Sequence, residues 1–174
     1  DLEGRKGTLL AEDCRSGTGD KADIEKRAEV IVLEVKPQVM KDVWVALATE
    51  LGDRQVLLIS IAAGITTSHL EKWFGESAAI VRCMPNTPAL VGMGASGLFA
   101  NVRVSAQQKL LAQEVVSAVG FATWVDADSD IDIVTAVSGS GPAYFFLFME
   151  AMQAAAKEMG LSEDLARRPT ERES

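Results

Sequence analysis

The residues best suited to chemistry in this chain form a short Ser/Gly segment that leads into an apolar run. The segment is Ser138-Gly139-Ser140-Gly141-Pro142, and proline is well suited to the first turn of a helix. Unpaired amide groups at a helix N-terminus can hold a carboxylate or a phosphate, which predicts an anion site here. A glycine hinge between two packing units fits the same residues, and the two roles are compatible. A serine hydrolase is disfavoured, because the segment is not a G-x-S-x-G turn and His69 is the only histidine in the sequence.

Two other glycine patterns could hold the phosphates of a dinucleotide. Gly92-x-Gly94-x-x-Gly97 has the fingerprint spacing, but it follows a proline-rich loop and precedes a strand-like run, 98–102, instead of a helix. We therefore interpret it as a flexible turn. The pattern at 17–22, Gly-Thr-Gly-Asp-Lys-Ala, is better placed, between a weak strand and a strand that ends at Glu34. It stays a less favoured alternative, because the intervening helix would be very short and Asp20 would place a negative charge beside the pyrophosphate.

The remaining groups that could do chemistry are mostly acidic. Four aspartates have the alternate spacing of a calcium loop: Asp126, Asp128, Asp130 and Asp132. Ile131 and Val137 stand where that loop needs glycine and glutamate, so we interpret the acids as the start of a helix, where the helix dipole favours them. One histidine and two cysteines without a C-x-x-C spacing argue against a metal centre, so we expect no metal. The net charge of −8 argues against nucleic acid as a partner.

Alternating apolar runs and amphipathic stretches predict the parallel α/β sheet that must position these groups. Apolar runs typical of strands buried on both faces lie at 30–35, 55–61, 79–84 and 121–125. Helices are predicted at 38–51, from a cap at Thr66, Thr67 or Ser68 to Phe74, and after Ser105-x-x-Gln108, a capping-box pattern. The buried face of the last helix is expected to carry Leu111, Val115 and Val119. Because ligands bind at the carboxyl ends of parallel strands, we expect Lys36, Ala62 and Pro85 at one edge of the sheet.

The two ends of the chain differ in character from the middle. Residues 1–29 are rich in glycine and charged residues, only 8–11 resembles a strand, and no secretory signal is expected. An apolar helix is expected from Pro142 to Met159, ended by Gly160, and one of its faces carries Phe145, Phe148, Met149, Met152 and Met159. Ser162 should cap a further helix, and 169–174 should be a frayed tail. The run 142–149 is too short for a membrane span, so we expect a cytoplasmic protein without a membrane partner.

Four segments together resemble the pyrroline-5-carboxylate reductase family. They are Val35-Lys36-Pro37-Gln38, Ser60-Ile61-Ala62-Ala63-Gly64, Arg82-Cys83-Met84-Pro85-Asn86-Thr87-Pro88 and Ala136-Val137-Ser138-Gly139-Ser140-Gly141-Pro142-Ala143-Tyr144. The resemblance implies a Rossmann-like parallel sheet, incomplete at the N-terminus, followed by the first helix or helices of an α-helical dimerisation domain. The expected units are an unmatched segment 1–29, an NAD(P)-binding domain 30–137 and the truncated start of the helical domain, 138–174. The implied reaction is NADPH- or NADH-dependent reduction of 1-pyrroline-5-carboxylate to proline, in a homo-oligomer.

The same resemblance implies a set of site residues. Those expected to contact the cofactor follow three strands: Val35, Lys36, Pro37, Ala62, Ala63, Met84, Pro85, Asn86 and Thr87. Those expected beside the substrate are Asp128, Ser138 and Gly139, and no catalytic residue is named. Glu34 stands where the family usually has alanine, and nothing in 1–29 matches the family's G-x-G-x-x-G turn. The alternative hypothesis is a non-catalytic, truncated α/β fragment that does not bind the cofactor.

Overall fold

The structure, a computed structural model, describes residues 10–11, 28–35 and 37–172. Within these residues, six strands form one sheet in which neighbours in space are also neighbours in sequence. The strands are β1 (Leu10–Ala11), β2 (Val30–Glu34), β3 (Leu57–Ser60), β4 (Ala79–Met84), β5 (Gly94–Ala100) and β6 (Gly120–Trp124). The four predicted strands are therefore confirmed as β2, β3, β4 and β6.

The sheet is parallel except at one pair of strands. β1 to β4 run parallel, and so do β5 and β6, but β4 and β5 are antiparallel. The prediction of a parallel sheet is wrong at this pair, because a parallel crossover needs roughly a dozen residues or more and the connection 85–93 is shorter. The chain instead reverses through a 3-10 helix, Thr87–Val91, which ends at Gly92 in the left-handed conformation (φ 76°).

Six α-helices lie within the described part of the chain. They are α1 (Pro37–Leu51), α2 (Thr67–Phe74), α3 (Ala106–Ser117), α4 (Asp130–Val134), α5 (Gly141–Glu158) and α6 (Glu163–Arg172). Two start signals expected from the sequence are confirmed. The Thr66 side chain accepts a hydrogen bond from the His69 amide at the start of α2. Ser105 and Gln108 make both hydrogen bonds of a capping box at the start of α3.

Apolar side chains pack into two layers, one on each face of the sheet. One layer joins the strands to α1 and α2, and its most buried members include Ile31, Trp44, Leu58, Leu70 and Ile80. The other layer joins the strands to α3, and its members include Leu57, Ile59, Val81, Leu98 and Val116. Consecutive residues of β3 alternate between the two layers, as the side-chain period of a strand requires. The sheet is therefore covered on both faces. The ends of its strands are not covered by these layers, and the loops that follow the strands can form a site there.

The buried face of α3 differs from the predicted one. Ala112 and Val116 are buried, whereas Val115 and Val119 are 37% and 40% exposed. Both stripes are apolar at a spacing of four residues, so periodicity alone does not choose between them. The small Ala112 side chain allows the helix to approach the sheet closely, and the bulkier stripe then lies at the margin of the contact.

The C-terminal helices form a continuous stretch that leaves the sheet. α4 packs on the sheet through Ile131, which is 1% exposed, and continues through a π-helical turn, Thr135–Gly139, into α5, which buries none of its side chains. α6 packs against α5 with Ala166 buried. α6 extends to Arg172, so the frayed tail expected from Pro169 is wrong up to that residue.

The helical stretch Asp130–Glu158 is long and apolar enough to cross a membrane, judged by length and composition only. It has 29 residues and a mean hydropathy of 1.3 in its most apolar window, of which 6% is buried. The apolar run 142–149 is too short to span a membrane by itself, but the π-helical turn makes it part of this longer helix. The expectation that its length excludes a membrane span is therefore wrong.

Candidate functional site at the carboxyl edge of the sheet

The register of the sheet brings the ends of three parallel strands to one level. Leu33 of β2 pairs with Ser60 of β3, and Ser60 pairs with Arg82 of β4. The loops that begin at Val35, Ala62 and Pro85 therefore lie at one edge, as predicted. Lys36 lies outside the described residues, and Pro37 is placed only as the first residue of α1. The carboxyl edge of parallel strands is where open α/β sheets bind their ligands.

Small side chains leave the middle of this edge open. Ala62 is buried and Ala63 is exposed, and the next residue, Gly64, has a φ of 74° with no atom within 4 Å of the place where a Cβ would lie. A backbone without bulky side chains can approach a ligand closely. Glu34, at the end of β2, is exposed and adds a negative charge to the same edge. The β3–α2 loop thus offers an open surface beside one unfavourable charge for a polyanion.

The Asn86 side chain joins this edge to the helical segment. Its Oδ1 accepts a hydrogen bond from the Ala95 amide at 2.8 Å, and its Nδ2 donates to the Ser138 carbonyl at 3.3 Å. A Cβ on Gly139 would lie 3.9 Å from Cγ of Met84, which is buried. The structure therefore brings Met84, Asn86, Ser138 and Gly139 together, although they are about 50 residues apart in sequence. Thr87, in contrast, is exposed at the start of the 3-10 helix.

The Ser/Gly segment is not a free helix N-terminus, so the predicted helix start there is wrong, and contact of Ser138 and Gly139 with a ligand stays a prediction. The segment continues one helical stretch, and the Ser140 amide donates to the Thr135 carbonyl at 2.9 Å. The hydroxyl groups are also turned back onto the helix: Ser138 Oγ donates to the Val134 carbonyl and Ser140 Oγ to the Thr135 carbonyl, each at 3.1 Å. The glycine-rich segment instead forms a π-helical turn, a distortion that is frequent at functional sites.

Arg82 is the residue of this region that the sequence did not identify as important. It lies in β4, is 1% exposed, and donates to Asp128 Oδ1 at 2.7 Å and to Asp132 Oδ1 at 3.3 Å. The other oxygen of Asp128 accepts from the amide and the hydroxyl of Thr67, each at 3.0 Å. The sequence does contain a sign of this role: Arg82 is a charged residue inside an otherwise apolar strand. Buried charges are almost always paired, so such an arginine predicts an acidic partner elsewhere in the chain.

Other groups of chemical interest have local explanations. His69 is exposed on α2, as expected, with Nδ1 2.8 Å from Thr66 Oγ1. Burial raises the pKa of the Cys83 thiol to about 12, although a hydrogen bond with Ser96 opposes the shift. The thiol is therefore protonated near neutral pH and is a poor nucleophile. No cluster of three His, Cys, Asp or Glu side chains that could hold a metal ion occurs among the residues described.

A polar cleft of about 200 Å³ lies between α5 and α6, away from the sheet edge. Its lining residues are Glu150, Gln153, Ala154, Lys157, Glu163, Ala166 and Arg167. Lys157 and Glu163 form an exposed ion pair across it at 3.6 Å. Exposed pairs of this kind contribute little stability. The cleft is a boundary between two packed helices, and none of its lining residues belongs to the loops at the carboxyl ends of the strands.

The sheet, its open carboxyl edge and the attached apolar helix define a Rossmann-like protein in which a helical segment follows the sheet. The family described as pyrroline-5-carboxylate reductase dimerisation matches residues 128–172. The pyrroline-5-carboxylate reductase of Pseudomonas aeruginosa is 57% identical over 143 residues, which are 82% of this chain and 52% of that protein. Over the residues that match, this chain is similar to pyrroline-5-carboxylate reductases.

Solved structures agree with this assignment. A pyrroline-5-carboxylate reductase from Coxiella burnetii superposes with a TM-score of 0.83 at 46% identity. The match covers 89% of this chain and 57% of the Coxiella burnetii chain. The Plasmodium falciparum pyrroline carboxylate reductase with NADP bound gives a TM-score of 0.80 at 32% identity. The match covers 88% of this chain and 58% of the Plasmodium falciparum chain. The chain thus spans about half the length of the relatives that it matches.

Proposed function

We propose that this chain forms the nicotinamide-binding part of a pyrroline-5-carboxylate reductase, which reduces 1-pyrroline-5-carboxylate to L-proline with NADPH or NADH. The observation that supports this most strongly is the meeting of Met84 and Asn86 with Ser138 and Gly139 at the carboxyl edge. Relatives with 57% and 46% identity carry the name of this reductase, and a relative with 32% identity binds NADP. These observations favour the reductase over a non-catalytic fragment.

The residues at the edge fit a nicotinamide cofactor. The open backbone at 62–64 suits close approach of a dinucleotide, and Met84 and Gly139 form an apolar wall that excludes water from a reacting ring. When bound, the cofactor supplies a hydride to the imine carbon of the substrate. Asn86 keeps the 85–88 loop and the π-helical turn at a fixed separation, so the contribution of these residues is mainly positioning. Val35, Lys36, Pro37, Pro85 and Thr87 remain proposed cofactor contacts.

We propose that the helical unit begins at Ser138 and joins two copies of the chain. α4 belongs to the sheet domain because Ile131 is buried, whereas α5 exposes aromatic side chains such as Phe145 and Phe148. The family match to a dimerisation domain supports a second copy, and not a membrane, as the cover for this face.

A cytoplasmic location is in keeping with the free thiol of Cys83, and the net charge of −8 disfavours nucleic acid.

Cofactor binding is the direct test of this proposal. NADPH should raise the midpoint of thermal unfolding, because a ligand specific for the folded state stabilises it. Glu34→Ala should tighten NADPH binding by about twofold at low salt, and this gain should shrink as salt screens the charge. Glu114→Ala removes an exposed carboxylate from α3 and is the matched control, for which no change is expected. Unfolding midpoints that are the same with and without saturating NADPH would contradict the proposal.

A further inference from the structure

Asp128 is the hydrogen-bonding centre of three structural elements. Its Oδ1 accepts from Nη1 of Arg82 in β4 at 2.7 Å, and its Oδ2 accepts from the amide and the hydroxyl of Thr67 in the first turn of α2. Its own carbonyl accepts a further bond from Arg82 Nη1 at 3.1 Å. Asp128 itself lies in the connection between β6 and α4. One carboxylate therefore ties a central strand and a helix N-terminus to the start of the helical segment.

The surroundings make these contacts strong. Arg82 is 1% exposed, and its guanidinium donates hydrogen bonds to Asp128 and Asp132. Its Nε is buried without a hydrogen-bond partner in the described part of the chain, so the ion pair carries most of the compensation for burying the charge. The Asp132 side chain is 61% exposed and that of Asp128 is 24% exposed, so Asp128 is the better shielded partner. A carboxylate at the first turn of α2 is also favoured by the helix dipole.

The start of the helical segment is fixed on the sheet at a second place. Val134 of α4 lies over Gly97 of β5, where a Cβ would fall 2.9 Å from both Val134 methyl groups. α4 runs directly into the π-helical turn, so its placement determines where Ser138 and Gly139 lie. Those two residues contact Asn86 and Met84 at the proposed site. The Asp128 contacts at one end of α4 therefore act on the geometry at the other end.

We propose that Asp128 is a positioning residue, and not a substrate ligand, which holds the π-helical turn in register with the Met84–Asn86 loop through Arg82 and Thr67. Both carboxylate oxygens are already engaged by protein donors, and this leaves little capacity for a substrate. The inference rests on the proposed reductase function for its catalytic consequence. Its structural consequence, the ordering of 134–141 by Asp128, is independent of that function.

Amide hydrogen exchange in Asp128→Asn tests the structural consequence. The Thr67 amide and the amides of 134–141 should exchange roughly tenfold faster. The reason is that loss of the carboxylate weakens the contacts of residue 128 with Arg82 and with Thr67, which hold the start of α4. Asp132→Asn removes the more exposed partner of the same arginine and is the matched control, with less than about a threefold change expected. Asp128→Glu keeps the charge and should restore most of the protection. If Asp128→Asn does not fold, Thr67→Val, which removes only the hydroxyl donor, should show a smaller change in the same segment.

Steady-state kinetics separate positioning from substrate binding. A positioning role predicts that Asp128→Asn lowers kcat about tenfold or more, with partial rescue in Asp128→Glu, because the site is misaligned after the substrate has bound. A rise in KM for 1-pyrroline-5-carboxylate with unchanged kcat and unchanged exchange at 134–141 would overturn the proposal. If neither the parent protein nor any variant turns over, NADPH binding decides the proposed function, and the exchange data still decide whether Asp128 orders 134–141.

Discussion

Gly120→Ala is expected to destabilise the protein by roughly 3 kcal/mol, because it combines backbone strain with a steric clash. Gly120 begins β6 at a φ of 143°, a conformation that side chains other than hydrogen rarely allow. A Cβ at this position would also overlap the backbone of Gly94 in the neighbouring strand, with the Gly94 carbonyl carbon at 2.6 Å. Backbone atoms in a hydrogen-bonded strand pair cannot move aside, so β5 and β6 would have to separate. Urea unfolding measures the loss directly.

Gly52→Ala is the matched control for this substitution. Gly52 has a φ of 53°, and no atom lies within 4 Å of the place where its Cβ would lie. Alanine there pays only the strain of the left-handed conformation, about 1 to 2 kcal/mol. A Gly120→Ala protein as stable as Gly52→Ala would show that β5 and β6 do not approach each other as closely as described.

Phe145→Asp combined with Phe148→Asp should convert the protein from a self-associating species to a monomer. The two rings are 71% and 64% exposed on α5, and apolar patches of this kind mark interaction surfaces. If each ring contributes about 2 kcal/mol as an interface anchor, the dissociation constant should rise by about a thousandfold for both together. Sedimentation velocity over a range of protein concentrations measures this constant.

Leu110→Asp gives the control for the α5 substitutions. Leu110 is 72% exposed on α3, so the substitution introduces a charge at a similar apolar side chain outside the helical unit. Its dissociation constant should equal that of the parent protein. A parent protein that is monomeric at high concentration, or that floats with phospholipid vesicles instead of self-associating, would contradict the assignment of a second copy to this face.

Local patterns predicted those parts of the fold that depend on nearby residues. The run Ala79–Met84 is buried along its whole length, and the capping box at Ser105 forms as its sequence indicates. These features follow from side-chain type within a few positions. The direction of β5 depends on the length of the connection before it, which side-chain type within a few positions does not determine. Local chemistry therefore sufficed for β2, β3, β4 and β6 and for three of the strand ends that form the site edge. It failed at β5, because the flexible turn expected at 92–97 is wrong beyond Gly92: Gly94 and Gly97 lie within that strand.

The remaining features depend on contacts between distant residues. Whether α3 buries Ala112 or Leu111 depends on how closely the helix approaches the sheet, which two equivalent apolar stripes cannot decide. The Ser/Gly segment follows a helix instead of starting one, because α4 extends through the π-helical turn. The pairing of Arg82 with Asp128 spans 46 positions, and only the fold reveals it. The resemblance assigned Met84 to the cofactor and Gly139 to the substrate, and both roles stay predictions; it did not indicate that Asp128 is engaged by protein donors.

Reductase turnover in a chimaeric enzyme tests the central claim most directly. The segment of the Pseudomonas aeruginosa reductase that matches this chain over 143 residues would be replaced by the residues of this chain. The chimaera should oxidise NADPH only when 1-pyrroline-5-carboxylate is present, with a kcat/KM within about tenfold of the parent reductase, because the edge formed by 62–64, Met84, Asn86 and Gly139 is retained. A folded chimaera that binds NADPH yet shows no substrate-dependent oxidation would contradict the assignment of a reductase site to these residues.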